Sequence, residues 1–328
     1  MTKRRRVGRW PCAAVLALGL AVAGEVISQN YPARPIRLLV GFATGGGTDT
    51  TARTVARGLP EHLGQPVVVE NRPGAGGSLA TERAAAAPAA GYTLLMMAAS
   101  DAAQPALRSR LPYDLERDFA PVSTIASGTY VLVVHPLVPA RNAGELLSLA
   151  RAHPGKLNYG SSGIGGASHF AGELFKLMGK VNIEQISYKG GTDPVVAVAA
   201  GQIDITFPSI VTALGLLEAK KVKALAVTSA RRSSLMPSLP TLNESGLPGY
   251  NRSSWYGVMA PAGVSREIVA RLNAAIEKTV GSPEIKAALA KQGLDSQTSS
   301  PSELASFIRA EIDQNVKLVK LTGVKVDQ

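Results

Sequence analysis

Apolar positions along the chain fall into short runs and helical stripes that alternate. Ile36–Val40 is mostly branched and apolar and predicts a short buried strand. Beyond it Ala52, Val55, Ala56, Leu59 and Leu63 recur at helical spacing and predict one buried helix face. Between the two lie Gly45, Gly46 and Gly47, where the backbone can turn sharply with no Cβ in the way. A strand, a glycine turn and a helix start together leave amide N–H groups unpaired at the positive end of a helix dipole, which is a generic anion site. No Gly-Lys-Ser/Thr follows, and the spacing is not Gly-x-Gly-x-x-Gly, so neither a Walker loop nor a dinucleotide fingerprint is present. Tight-turn packing is the better account of one such loop taken alone.

The pattern continues. Residues 67–70 read as a second strand, running into Gly74-Ala75-Gly76-Gly77-Ser78 and an alanine-rich helix to about Ala87. Residues 93–98 read as a third strand, ending at Ser100. Such alternation implies a parallel sheet covered on both faces, with ligands beyond the carboxyl ends of its strands. Residues 42–49, 74–78 and Ser100 should therefore share one rim. A less regular stretch, 111–121, precedes a strand at 130–134 and a second α/β run. There a helix at 143–152 leads to a strand at 157–160, a second glycine loop at 161–169, and a stripe of Phe170, Leu174, Leu177 and Met178. The strand–glycine turn–helix device thus occurs twice, in what read as different domains, and the two helix ends are expected to face each other across a cleft. Further strands end at Tyr188 and at Phe207-Pro208-Ser209, and residues 224–228 are the last strand before the chain returns to the first domain. Residues 231–249 read as loop, 255–261 as a strand of the first domain, and the tail as helices packing on that domain. Ser265 and Ser282-Pro283 start two of them; Ser300-Pro301-Ser302-Glu303 is a capping box. The expected division is a signal peptide at 1–23, one domain from 24–125 with 229–328, and a second from 126–228. Two crossings between them predict a hinge.

Composition narrows the function classes. At 45% hydrophobic and 18% charged residues, the 328-residue chain has ample core and is not disordered. Lys3, Arg4, Arg5, Arg6 and Arg9 precede an apolar run from Cys12 to Ala23 that ends in the small-x-small site Ala21-Val22-Ala23, the form of an export signal. The run is short of the ~20 residues a spanning helix needs. Ordinary secretion and twin-arginine export both fit it. The only cysteine, Cys12, lies inside that signal, so disulfide and thiolate chemistry are excluded from the mature chain. Cleavage near Ala23 removes five basic residues and lowers the formal charge from +11 to +6, a modest field that favours small anions. No basic run interleaved with aromatics follows, which argues against nucleic acid. Four histidines without a spaced His/Cys/Asp cluster argue against a metal site, and no cofactor is expected. Gly160-Ser161-Ser162-Gly163-Ile164 lacks the second glycine of a nucleophile elbow.

From about Tyr31 to Val326 the chain resembles the Bug-type extracytoplasmic receptors, the substrate-binding components of tripartite tricarboxylate transporters. The resemblance rests on many motifs in order. Among them are Gly45-Gly46-Gly47-Thr48-Asp49, Leu63-Gly64-Gln65-Pro66 continuing to Asn71-Arg72-Pro73-Gly74-Ala75-Gly76-Gly77, and Leu111-Pro112-Tyr113-Asp114. Pro154-Gly155-Lys156-Leu157-Asn158-Tyr159, Tyr188-Lys189-Gly190, Gly246-Leu247-Pro248-Gly249-Tyr250 and Ala260-Pro261-Ala262-Gly263 continue the series. The resemblance implies an α/β, two-domain periplasmic binding protein of type II topology that closes on a small carboxylate, partly through ordered waters. It implies a periplasmic location, membrane permease subunits as partners, a monomer and no catalysis. Carried over, Phe42, Ala43, Thr44, Gly46, Gly47, Thr48 and Asp49 face Ser161, Ser162, Gly163, Ser168 and His169, with Gly77, Ser100, Tyr188, Pro208 and Ser209 as wall residues. Phe207-Pro208 stands where the family usually has Phe-Asp, which favours a plain carboxylate over an amino acid. Asp49 has two readings, orienting the ligand or holding its own loop against the helix dipole. His169 likewise reads as a carboxylate contact or as packing at a helix start. A receptor signalling to a sensor kinase and a hydrolase using Ser162 and His169 are the competing functions.

Overall fold

The computed structural model describes residues 31–163, 166–188 and 192–323; the expected signal segment lies outside the described residues. In the first lobe, β1 (Ile36–Val40) is buried at every position except Arg37. It is a central strand, paired in parallel with β2 (Val67–Asn71) on one edge and β3 (Thr93–Ala98) on the other. α1 (Gly47–Leu63) buries Ala52, Val55, Ala56, Leu59 and Leu63 against this sheet, the face its spacing predicts. A 3-10 turn at Ala75–Gly77 leads into α2 (Ser78–Ala85), and the short α3 (Gln104–Leu107) follows β3.

The sheet is mixed, not parallel throughout. β10 (Ser253–Pro261) runs antiparallel between β3 and β4 (Phe119–Thr129), and β11 (Leu294–Ser296) adds antiparallel to β4, giving the order β11-β4-β10-β3-β1-β2. β4 has no apolar run to announce it, since Pro121, Ser123, Thr124, Ser127 and Gly128 interrupt the pattern. Its pairing with β10 makes it a strand, and the register slips between Val258 and Met259, opposite Pro121, which has no N–H to donate. β4 crosses the 125/126 division expected from sequence; the two sheets part at Tyr130.

The second lobe holds β5 (Val131–Val134), β6 (Asn158–Ser161), β7 (Glu184–Ser187), β8 (Ile205–Thr206) and β9 (Lys223–Val227) in the order β7-β6-β8-β5-β9. Helices α4 (Ala143–Ala152), α5 (Ala167–Gly179), α6 (Asp193–Ala199) and α7 (Ile210–Glu218) cover it. Leu242, Leu247 and Tyr250, placed with the first domain from sequence, are buried in this lobe's core beside Phe170 and Phe175. The chain therefore re-enters the first lobe at Arg252. There Arg252 N donates to Thr228 O (2.7 Å), and Thr228 Oγ1 donates to Arg252 O (2.6 Å) and accepts from Tyr130 N (3.0 Å). One threonine hydroxyl thus stitches the crossing segments together.

α8 (Arg266–Gly281) and α9 (Pro283–Ala290) pack on the first lobe as the tail pattern predicts. α10 (Pro301–Thr322) does not stay there. Its capping box forms, with Ser300 and Glu303 each bonded to the other's backbone. Leu304 and Ile308 enter the first lobe's core, whereas Leu318 and Val319 enter the second's. At 22 residues it is about 33 Å long, enough to span both lobes.

Candidate functional site

The first glycine loop is a strand end fixed by one carboxylate. Asp49, 1% exposed, accepts from Gly45 N (2.8 Å), from Asn71 Nδ2 (2.8 Å) and from Arg53 Nε (3.0 Å). Asn71 Nδ2 also donates to Phe42 O (3.0 Å), so the loop is tied at both ends. Burial pushes the Asp49 carboxyl up, but the bonds from Arg53, Gly45 and Asn71 together with the Arg53 charge outweigh it, and the group lies below the usual carboxylate range. Of its two sequence readings, the geometry carries the loop-holding one. Residues 43–47 remain exposed, and α1 opens at Gly46 with no side-chain cap on its first N–H groups. Gly47 is needed at its position, since a Cβ there would come 2.8 Å from the Tyr256 hydroxyl.

The second loop repeats the arrangement on the other lobe. α5 opens at Gly166, again with no side-chain cap. Helices α4, α7, α8, α9 and α10 are instead capped by Asn142, Ser209, Ser265, Ser282 and Ser300, while the shorter α2, α3 and α6 also lack a side-chain cap. Ser162 N donates to Ser168 Oγ (2.9 Å), and the two hydroxyls lie 2.9 Å apart. A pair of hydroxyls uses one proton between them and leaves the other to point outward. Ser161 is buried, and its Oγ accepts from Gln185 Nε2 (2.7 Å). Tyr188 N donates to Ser161 O (2.9 Å), and a Cβ at Gly163 would lie 3.7 Å from Tyr188 O, so Tyr188 borders this loop. His169 is buried; desolvation lowers its pKa, Glu173 opposes that and Lys176 adds to it. A neutral ring near pH 7 is a packing residue and a poor counter-charge.

Strand ends of the first lobe do converge. A Cβ on Gly77 would sit 3.3 Å from Phe42 Cζ and 2.2 Å from Asp101 Oδ1, so only glycine allows this approach. Asp101 follows Ser100, whose carbonyl accepts from Ala103 N (3.2 Å) and Gln104 Nε2 (3.3 Å). Phe42, Gly77 and Ser100 thus sit together. The Pro208–Ser209 corner lies at the crossing, beside Tyr130: Pro208 O accepts from Val131 N (2.9 Å), and Ser209 bridges to Tyr130. The Ser209 hydroxyl serves α7, 3.3 Å from Thr212 N and 2.7 Å from Thr212 Oγ1.

Sequence reasoning missed Tyr130, Tyr256, Arg252 and Asp101. Tyr256 projects from β10 under Gly47. Burial raises the Tyr130 phenol, Tyr256 adds to the rise and the Arg252 guanidinium opposes it, so these three groups are near neighbours. Arg252 Cζ is 5.1 Å from the Phe170 ring, on the first turn of α5. The series Gly47, Tyr256, Tyr130, Arg252, Phe170 runs from one glycine loop to the other. Asp101, 1% exposed, is pushed up to about 7 by burial against one bond from Ala98 N. A lone acid inside an apolar stretch was its only sequence signal.

Two grooves flank this region, the second of them reaching Asn71, which anchors the first loop. One of about 630 Å³ runs beside the crossing, past Thr129, Ser229 and Arg232; another of about 570 Å³ lies by Arg72, Leu79 and Arg83. Arg232 is paired with Glu244 and Arg72 with Glu70, whereas Arg231 and Arg83, which also line them, enter none of the ion pairs among the described residues. Among the described residues, no His/Cys/Asp/Glu group could hold a metal, and no helix is long and apolar enough to cross a membrane.

The chain matches known proteins over most of its length. A model described as tripartite tricarboxylate transporter family receptor matches residues 51–324. Protein BugT of Bordetella pertussis is 36% identical over 318 residues, covering 95% of this chain and 98% of BugT. The R. palustris protein Rpa4515, solved with adipate, is 36% identical with TM-score 0.76, covering 90% of this chain and 100% of that one. MatC of Rhodopseudomonas palustris, solved with bound malate, is 32% identical with TM-score 0.72, covering 88% and 100%.

Proposed function

Since this chain belongs to the tripartite tricarboxylate transporter receptor family, we propose that this solute-binding receptor captures a small organic carboxylate between its lobes and hands it to membrane permease subunits. The observation that carries the reading is that an uncapped, glycine-started helix opens on each lobe, α1 on one and α5 on the other, with α2, begun at Gly77 beside Phe42, as a third. A carboxylate leaving water must be matched by donors. The opening amides of α1 and α5 supply them, with the outward proton of the Ser162–Ser168 pair and bridging waters. An affinity near ~1 μM requires about 8 kcal/mol net, within reach of a few charge-assisted bonds. The relatives solved with adipate and malate support the ligand class. The receptor works in the periplasm as a monomer and without catalysis: Ser162 is paired with Ser168, and His169 is buried.

Thermal unfolding against mono-, di- and tricarboxylates, aromatic acids and acidic amino acids tests the reading. A ligand at about 100 times its Kd stabilises the protein by roughly 2.7 kcal/mol. The bound acid should be recovered chemically unchanged. A panel in which no carboxylate raises Tm would sink the proposal.

A further inference from the structure

Among the described residues Arg252, only 5% exposed, enters no direct ion pair; the acid in its neighbourhood, Glu311, lies one turn from Asn315 and accepts from Trp255 Nε1 (3.1 Å). Nη2 donates to Asn315 Oδ1 (2.7 Å), and the guanidinium faces the Phe170 ring at 5.1 Å. Nη1 has no acceptor. Of the nearby phenols, Tyr250 is committed to Ala171 O (2.7 Å). A buried guanidinium with an unmet donor is costly to fold, and an anion is the group that offsets it best. Its bidentate fork fits a carboxylate in particular.

The position of Arg252 says where that anion comes from. Asn315, which holds Nη2, donates to Ala102 O, two residues past Ser100 on the first lobe's rim. Phe170, on the opposite side, directly follows His169 of the second glycine loop. Tyr130, beside it, adjoins the crossing and Tyr256. Arg252 therefore lies between the two rims, faced by Phe170 of the second lobe and tied through Asn315 to the first, so a parting of the lobes would bring it within reach of the cleft. We propose that Arg252 binds a second acidic group of the ligand, so that this receptor selects dicarboxylates over monocarboxylates. The inference rests on the carboxylate reading above and adds the residue that counts the charges.

Titration calorimetry with adipate and hexanoate, six-carbon acids that differ by one carboxylate, tests it. The wild-type protein should bind adipate roughly tenfold or more tighter than hexanoate, the worth of one bond between charged partners. Arg252→Met should bring adipate down to the hexanoate level and leave hexanoate within about twofold, since it removes a single charge-assisted contact. Arg252→Lys, which keeps the charge and loses the fork, should fall between. Hexanoate binding the wild type as tightly as adipate overturns the inference, whether or not the Met variant folds. So does a Met variant that weakens both acids equally or neither. Equal loss leaves the receptor reading standing, whereas a wild-type protein that binds no carboxylate at all removes both.

Discussion

Replacing Gly46 with valine separates the fold from the anion site. Gly46 is the N-cap of α1 with φ −71° and ψ 165°, extended backbone that any residue adopts. A Cβ there comes 3.2 Å from Ala43 O, tight but on an exposed loop that can give. Valine is a poorer N-cap than glycine, so the fold loses about 1 kcal/mol, or about 2–4 °C in Tm. Binding loses more. The isopropyl group stands over the opening amides of Gly47, Thr48 and Asp49. Two charge-assisted bonds at ~1.5–3 kcal/mol each come to at least ~3 kcal/mol, about a hundredfold in Kd. At a ligand concentration about 100 times the wild-type Kd, stabilisation drops from roughly 2.7 to roughly 0.4 kcal/mol. Thermal melts of both proteins with and without the best acid of the panel read this directly. A Gly46→Val protein that folds and keeps the full shift would show that the first loop does not hold the ligand.

Three further outcomes follow from the same structure. Asp101 keeps its proton to about pH 7 in the folded state, against 3.8 ordinarily. Between those values the unfolded chain has released the proton and the folded one has not, so stability falls as pH rises, by up to ~1.4 kcal/mol per unit, then levels off above about 7. Asp101→Asn should abolish that slope in urea melts from pH 5 to 8; an unchanged slope places its origin elsewhere. Asp49→Ala strands the Gly45 and Asn71 donors and should cost about 2–3 kcal/mol at neutral pH. Because the Asp49 pKa is lowered on folding, the deficit should shrink as acid protonates the wild-type carboxylate; a deficit equal at neutral and strongly acid pH contradicts the assignment. Gly172→Ala sets a Cβ 2.2 Å from the Tyr159 ring, whose hydroxyl donates to Glu173, and should cost about 1–3 kcal/mol in denaturant melts. A loss under ~0.5 kcal/mol would mean that the ring yields freely.

Much of this was readable beforehand, for identifiable reasons. The face of α1 and the loops at Gly45–Gly47 and Gly163 are local: periodicity and absent Cβ atoms specify them without reference to the rest of the chain. β4 was not readable, because its small polar residues become a strand only when β10 lies beside them. Residues 231–249 read as loop yet bury Leu242 and Leu247, with Tyr250 just beyond, since apolar residues scattered between prolines and glycines have no period to reveal them. Asp49 kept two readings until Asn71 and Gly45 were seen to bond it. Ser209 was legible as a helix cap, a serine three residues before Thr212, although the corner after β8 drew attention to it as a wall. Arg252 had no signal whatever. A charged residue ahead of a strand looks solvated, and only the meeting of Phe170, Asn315 and the crossing segments buries it.

The long C-terminal helix has a mechanical consequence. A single stiff rod rooted in both halves behaves as a splint across the joint, so the halves cannot swing freely on their stitched strands. Each opening must flex the rod or pull Leu318 and Val319 out of their socket. The work of that step sets how often the empty receptor gapes, and hence how much of the ligand's grip is consumed in shutting it. Grip and release are therefore adjustable from the far end of the chain, by residues that never meet the cargo.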